Sequence, residues 1–329
     1  TAQGLRQLSL APLAATAIDN SDRVIDPILA ATPRLLDNGR LRARFSPRGE
    51  LSGLEINGEK IALSGKAAFV LSPDDPALFD AWDIDHHGVQ SGTPVEIGAL
   101  KVVEHSALRA VLESEPQAFG EKSQLTLRYV LDAGSRDLRI EPVVQWQETH
   151  KLLRYTLPTD YQGRMARFGC PFGSIERPQL SGTETDEAMW EVPGSRWAAV
   201  QRDSGEAGLA ICAESKLGYA ARDGLLSITL LRSAKNPDET ADMGTHRMPF
   251  AIGRYQKYCT GRHMSTAMAA DHLFTPPLIA KTEHRDAPFN FENLASLAPS
   301  WAAPSETLNG YFVRLHETAG GQGSATMHF

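Results

Sequence analysis

Apolar residues recur at every second position through long stretches of this chain, and no stretch of similar length keeps the spacing of a helix. The alternation is plainest in Gln124-Leu125-Thr126-Leu127-Arg128-Tyr129-Val130-Leu131, and it returns over residues 138–144 and 225–231. A strand turns successive side chains to opposite faces, so this period of two describes a sheet buried on one side. Turn residues punctuate the pattern. Asn38-Gly39 sits between Leu35-Leu36 and residues 41–45, and Asn57-Gly58 between residues 54–56 and 60–63. Asn and Gly tolerate positive φ, so both pairs predict hairpins with primed turns. The best helical candidate, residues 265–273, is short and is followed by Pro276-Pro277. The chain is therefore expected to be all-β, with a large sandwich at its centre.

The 329 residues suffice for one large β domain or two ordinary ones. Residues 1–32 show little periodicity and read as a lead-in. Residues 33–280 hold the dense strand pattern. Residues 281–329 read as a polar linker, running to about residue 298, and a partial C-terminal β-sandwich piece. That piece has one clear strand over 310–316 and a second that begins at Ser324 and reaches the chain end. A strand ending so would leave backbone donors unpaired, and the expectation is either a truncated chain or a small sheet completed elsewhere.

Net charge is −7, with acids and bases interspersed. Nucleic acid, which needs a basic surface, is not an expected partner. No apolar run approaches the roughly 20 residues of a membrane span. Residues 8–18 are small and apolar but lack the basic flank of a signal peptide. Cys170, Cys212 and Cys259 are odd in number and widely spaced. They match neither a metal motif nor a disulfide framework, and reduced thiols point to a cytoplasmic protein.

Three polar clusters could carry chemistry. The densest is Phe79-Asp80-Ala81-Trp82-Asp83-Ile84-Asp85-His86-His87. On a strand, Asp83, Asp85 and His87 would share a face, as ligands of one metal or sugar must. In a loop, the Asp side chains would cap turns and Trp82 would serve as an anchor. The second cluster, Pro171-Phe172-Gly173-Ser174-Ile175-Glu176-Arg177-Pro178, offers an acid and a cation but reads more simply as extended backbone, because residues before proline avoid the helical region. The third runs over residues 231–246, with Arg232, Asp238, Asp242 and His246. It follows a strand, and long loops on rigid sheets tend to carry binding residues. No phosphate-binding glycine loop and no nucleophile elbow occurs.

Seven segments, in order, resemble the C-terminal region of glycoside hydrolase family 38 α-mannosidases. They are Asp37-Asn38-Gly39-Arg40-Leu41 with Gly49-Glu50-Leu51; Asp80-Ala81-Trp82-Asp83-Ile84; Trp146-Gln147-Glu148-Thr149-His150-Lys151-Leu152-Leu153; Pro171-Phe172-Gly173 through Pro178; Glu191-Val192-Pro193 with Trp197-Ala198; Leu230-Leu231-Arg232-Ser233 with Pro237-Asp238, Ala241-Asp242, Gly244 and His246; and Arg314-Leu315-His316-Glu317. The last has His316 where the family usually has Tyr.

The resemblance implies a β supersandwich of galactose-mutarotase type with small flanking β segments. For the whole enzyme it implies hydrolysis of terminal α-mannosides with retention, which needs two carboxyl groups, aided by zinc. It places those carboxyls and the zinc ligands in an N-terminal barrel and helical bundle, so neither a catalytic residue nor a metal ligand is assigned here, and no cofactor is expected in this chain. The barrel of the same enzyme and α-mannoside glycans are the expected partners. Trp82, Asp83, Asp85, Arg232, Asp238, Asp242 and His246 are the expected substrate-binding edge. Arg232 and Asp242 have a second reading, as buried residues that shape the loop. Docking on a barrel requires an exposed apolar patch. Two alternatives remain from the residues: a mutarotase-like enzyme using His86 or His87 against a carboxylate, and a sugar-binding module centred on Trp82.

Overall fold

The structure, a computed structural model, describes residues 29–180, 182–205, 208–260, 263–275, 290–307 and 309–328. Strands Ala30–Thr32, Leu35–Asp37, Leu41–Phe45, Leu51–Ile56 and Glu59–Lys60 form an antiparallel meander. Beyond it the chain shuttles between two larger sheets, one of eleven strands and one of six. The six-stranded sheet runs in the order Val192–Pro193, Gly218–Arg222, Leu225–Arg232, Lys151–Pro158, Ala68–Pro73, Thr93–Val95. Both of its edges are very short strands carrying a proline, Pro193 and Pro94. Such edges offer few backbone groups to a foreign strand.

The inner faces of the two sheets share one apolar core, and the meander closes it. Tyr155 of the six-stranded sheet packs at 4.9 Å between ring centroids on both its neighbour Phe69 and Phe250 of the other sheet. Phe45 of the meander meets Tyr129 at 4.4 Å, and the Tyr129 hydroxyl donates to the Gly49 carbonyl at 3.1 Å. Strand Gly208–Ala213 is buried at every position. Leu209, Ile211 and Ala213 enter the main core, while Ala210 and Cys212 lie in a second cluster with Trp197, Tyr255 and Ala270. Ala270 belongs to helix Thr266–Phe274, which therefore covers this part of the sheet. Ser265 caps it by accepting the Met268 N–H at 3.3 Å. Elsewhere the outer face is solvated and charge-paired: Arg109 with Asp132, Arg128 with Glu113, Arg139 with Glu141.

Both expected hairpins form, with Leu35–Asp37 paired to Leu41–Phe45 and Leu51–Ile56 to Glu59–Lys60, but the primed turn geometry holds at only one of them. Asn57 and Gly58 both have positive φ, 53° and 80°, as a primed turn requires. At the other pair only Gly39 does. Asn38 shapes its turn by accepting the Arg40 and Leu41 N–H groups at 3.0 and 2.7 Å, and its amide donates to the carbonyls of Asp132 and Ser135 at 2.8 and 2.9 Å.

The C-terminal expectation also needs correction. Asn290–Glu292 is a strand, and it pairs with Thr326–His328, so the last strand has a partner. Leu297–Pro304, where no strand was expected, pairs with Tyr311–Glu317. Residues 1–28 and 276–289 lie outside the described residues. A buried arginine clips this piece to the sandwich. Arg167 donates to the Ala319 carbonyl and to Ser174 Oγ, both at 2.9 Å, and pairs with Glu176. Ser174 Oγ donates to the Thr318 carbonyl at 2.6 Å. Glu176 thus serves packing, in a segment that is extended as expected, Gly173–Pro178. Arg167→Ala is expected to free the 297–317 hairpin, so that limited proteolysis trims the chain near residue 290 faster than in the wild type while the sandwich survives.

At residues 147–150 the chain crosses from the larger sheet to the smaller. Glu148 is buried at this corner. Its carboxylate accepts the N–H groups of Glu121, Lys122 and Ser123 at 3.0, 3.1 and 3.2 Å, and the Ser123 hydroxyl at 2.8 Å. Gly120 passes so close, at φ +61°, that a Cβ would come within 2.5 Å of this carboxylate. Burial raises the carboxyl's pKa, but the hydrogen bonds outweigh it and hold the group below its ordinary 4.5. The stabilisation is therefore present above about pH 4.5 and is lost as pH falls through the lower, folded-state value. Glu148→Gln is expected to cost about 1–3 kcal/mol near neutrality and to flatten the acid limb of a stability–pH profile measured by urea unfolding.

Candidate functional site

Three adjacent strands of the six-stranded sheet meet the same end of the sandwich. Lys151 pairs with Pro73, and Leu152 pairs with both Ser72 and Arg232. Asp74, His150 and Arg232 therefore converge where Ala68–Pro73 ends, Lys151–Pro158 begins and Leu225–Arg232 ends. Asp74 is 1% exposed and Arg232 19% in their side chains. Arg232 Nε donates to Asp74 Oδ2 at 2.5 Å and Nη2 to Oδ1 at 3.3 Å, the two-pronged geometry a guanidinium allows. The same guanidinium donates to the carbonyls of Asp80 at 2.9 Å and Ala81 at 3.1 Å, and to that of Asp83. Burial pushes the Asp74 carboxyl up, and Arg232 pulls against it.

The segment gripped in this way is a loop followed by the short helix His86–Gln90, so Asp83, Asp85 and His87 do not line up on a strand. The loop has further attachments. Asp80 Oδ2 accepts the N–H groups of Lys235 and Asn236 at 2.8 and 2.9 Å and lies 3.4 Å from His150 Nε2. Burial works to raise the Asp80 carboxyl, and these partners outweigh it, leaving the group below its ordinary value. The Trp190 indole N–H donates to the Ile84 carbonyl at 2.9 Å, and Arg154 Nη2 donates to the Val89 carbonyl at 2.6 Å.

Trp82 is not an anchor: it is 73% exposed, beside Phe79 at 69% and Leu78 at 67%. Asp83 accepts the neighbouring Ile84 N–H at 2.9 Å. Asp85 stands at the helix N-cap without a capping bond, its side chain exposed. Asp238 holds its own turn through the Thr240 N–H and hydroxyl, both at 2.9 Å, and these bonds keep its carboxyl below the ordinary value. Asp242 Oδ2 accepts the Arg232 N–H at 3.3 Å. His246 is not in the loop but on strand Gly244–Arg247 of the larger sheet, opposite Val144, with Nε2 2.7 Å from the Asp242 carbonyl. Trp82, Asp83 and Asp85 are thus displayed; Arg232 is half-buried and grips the loop, while Asp242 accepts its backbone N–H from an exposed position.

Asp74, His150, Arg154 and Trp190, absent from the expected set, are what hold the display. His150 stood within a quoted motif, but only the strand register brings it to Asp80. The His86 ring stacks on Trp190 at 4.9 Å with Nε2 2.9 Å from the Gln90 amide nitrogen. It faces an indole and an amide, not the carboxylate that a proton-transfer pair needs. Among the described residues no three His, Cys, Asp or Glu side chains converge as metal ligands would.

A clamped loop at the end of a two-sheet β sandwich defines a β-rich domain that presents side chains on a fixed backbone. The family model for the glycosyl hydrolases family 38 C-terminal domain matches residues 36–240, and the chain belongs to that family. It is 34% identical over 227 residues to "Alpha-mannosidase 2C1" of Mus musculus, covering 66% of this chain and 21% of that protein. It is 28% identical over 319 residues to "Alpha-mannosidase G" of Dictyostelium discoideum, covering 93% of this chain and 28% of that one. The chain thus spans between about a fifth and three-tenths of the length of these curated relatives. The crystal structure of an alpha-mannosidase from Enterococcus faecalis V583 shares the fold, with a TM-score of 0.71 and 14% identity, over 91% of this chain and 38% of that one.

Removing the guanidinium leaves a buried carboxylate and several carbonyls unpaired. Arg232→Ala is expected to destabilise the chain by about 3–5 kcal/mol, read as a lowered urea midpoint. Arg232→Lys is expected to recover only part of this, because an ammonium cannot form the planar fork.

Proposed function

We propose that this chain is the C-terminal β region of a longer α-mannosidase, a domain that packs on the catalytic part and helps to shape the mannoside site. One observation carries the reading. The family match spans residues 36–240, while the curated relatives, named as α-mannosidases, extend far beyond the region this chain matches. The relatives' activity is thus the activity proposed for the whole protein. The loop over residues 79–85 and the connection over residues 232–243 are the parts turned toward the catalytic portion. Their backbone is fixed by internal hydrogen bonds, so their exposed side chains enter a contact with little further ordering cost.

The division proposed is a lead-in to residue 32, a supersandwich over 33–280 and a C-terminal β piece over 281–329. Retention and zinc, implied for the whole enzyme, are assigned to the portion outside this chain. The described residues offer no convergent donor set for zinc, and no step of the reaction is derived through it. The cytoplasm is the compartment proposed, supported by three free thiols, Cys170, Cys212 and Cys259.

The test is hydrolysis of an aryl α-mannoside by this chain at micromolar concentration, with and without added zinc. No turnover above background is expected in either condition. Zinc-dependent turnover would show that these residues build a complete site, and the reading as an accessory domain would fall.

A further inference from the structure

Strand Asp137–Trp146 leads from the crossing at residues 147–150 to the other end of the sandwich, ten residues or about 30 Å away. There the turn between Asp132 and Asp137 is met by two distant segments. From the meander, Asn38 donates to the carbonyls of Asp132 and Ser135, and Arg40 Nη1 donates to that of Gly134 at 3.4 Å. From strand Phe250–Arg254, Gly253 pairs with Asp137, which sets Arg254 beside the same turn. His263, bridged through its backbone to Thr260, lays its ring against Arg136, with Nδ1 on the guanidinium Nη1. A guanidinium only donates, so Nδ1 accepts and the imidazole is neutral, with its proton on Nε2. Burial, then Arg136, Arg40 and Arg254, keep the His263 pKa below its ordinary value. Burial and Arg40 likewise lower that of Arg136.

The acids in this neighbourhood are engaged elsewhere. Asp132 takes Arg109 in two bonds, Asp37 takes Arg42, and Glu59 takes Arg254. Asp137 is tucked beneath Gly253, so close that no side chain could stand there. Burial raises its carboxyl to about 6 against the pull of Arg136. Among the described residues no carboxylate lies within salt-bridge distance of Arg40, Arg136 or His263, and the buried Arg136 Nε has no hydrogen-bond partner.

We infer that Arg40, Arg136 and the Nε2–H of His263, with Arg254 at the margin, form a binding site for a phosphate-type oxyanion, either free phosphate or the phosphoryl group of a phosphorylated sugar. Folding has gathered like charges here at a cost, and an anion between them turns that repulsion into attraction. Each guanidinium offers a planar pair of N–H groups that matches two oxygens of one phosphate. A phosphate dianion carries enough oxygens to meet both arginines and the imidazole together. A neutral sugar would gain hydrogen bonds without the charge. Nucleic acid would need basic groups spread along several phosphates, and the chain's net charge is −7. The site is remote from the clamped loop, so its ligand acts on the fold: it ties the meander, the larger sheet and the segment around His263 to one another. It stands whether or not the chain serves an α-mannosidase.

The experiment titrates the full chain with inorganic phosphate and with glucose 6-phosphate by calorimetry, at constant ionic strength set with sodium chloride. Variants are Arg40→Gln, Arg136→Gln, Arg136→Lys and, as a control on a different hairpin, Arg48→Gln, whose side chain is 76% exposed. Circular dichroism checks that each variant folds. Saturable binding is expected, with a Kd of about 1 mM or below. Arg40→Gln and Arg136→Gln are each expected to weaken it about tenfold or more, the loss of one charge-assisted pair. Arg136→Lys, which keeps the charge without the fork, is expected to lose less than Arg136→Gln, and Arg48→Gln is expected to bind as the wild type. Tighter binding of glucose 6-phosphate than of phosphate marks a phosphorylated sugar as the source; equal or weaker binding marks the free ion. No saturable heat with either probe overturns the inference. Binding that survives Arg40→Gln and Arg136→Gln unchanged, or that Arg48→Gln weakens as much, overturns it as well.

Discussion

The guanidinium of Arg232 sits where three strands of the smaller sheet come together. Its partner Asp74 is almost wholly buried, and a charge in that position is tolerable only because a second charge meets it in two-pronged geometry. The remaining donors reach main-chain carbonyls of the loop that follows Asp74. The ion pair and the loop conformation therefore stand or fall together. If the loop leaves, the arginine loses acceptors; if the arginine is lost, a buried carboxylate is stranded.

The loop is held almost entirely through its backbone. Arg232, Trp190 and Arg154 all donate to carbonyls, and Asp80 is the main side chain of the loop that looks inward. Side chains at Leu78, Phe79, Trp82, Asp83 and Asp85 are left facing solvent. Any of them can be exchanged without breaking a clamp, while the clamp fixes where each one points. A domain that must present a surface to the rest of a larger enzyme benefits from this separation, because ordering has been completed at folding.

A second corner shows the same logic applied to the chain crossing. Glu148 gathers the N–H groups of a neighbouring turn, and His150, two residues on, reaches Asp80. One short connection thus secures both the crossing between sheets and the displayed loop. Arg167 does similar work for the C-terminal piece, through carbonyls that are far away in sequence. In each case a charged side chain is buried against backbone groups that would otherwise be left without partners.

What the sequence determined by itself was the period and the punctuation. Alternation marked Ser123–Asp132, Asp137–Trp146 and Leu225–Arg232 as strands, turn residues marked Asn57-Gly58 as a primed turn, and residues 265–273 stood out as the best helical candidate, because each rests on contacts within a few residues. The ordered motifs carried the family as well. Tertiary structure decided what local preference could not. It made the turn residue Asn38 an anchor as well, gave the last strand its partner in Asn290–Glu292, and moved His246 from the loop onto a sheet. It also exposed Trp82 and selected Asp74, His150, Arg154 and Trp190 as the clamp. Those contacts join residues from about 65 to 158 positions apart. Such pairings follow from strand register and sheet order, and no pattern confined to neighbouring residues encodes them.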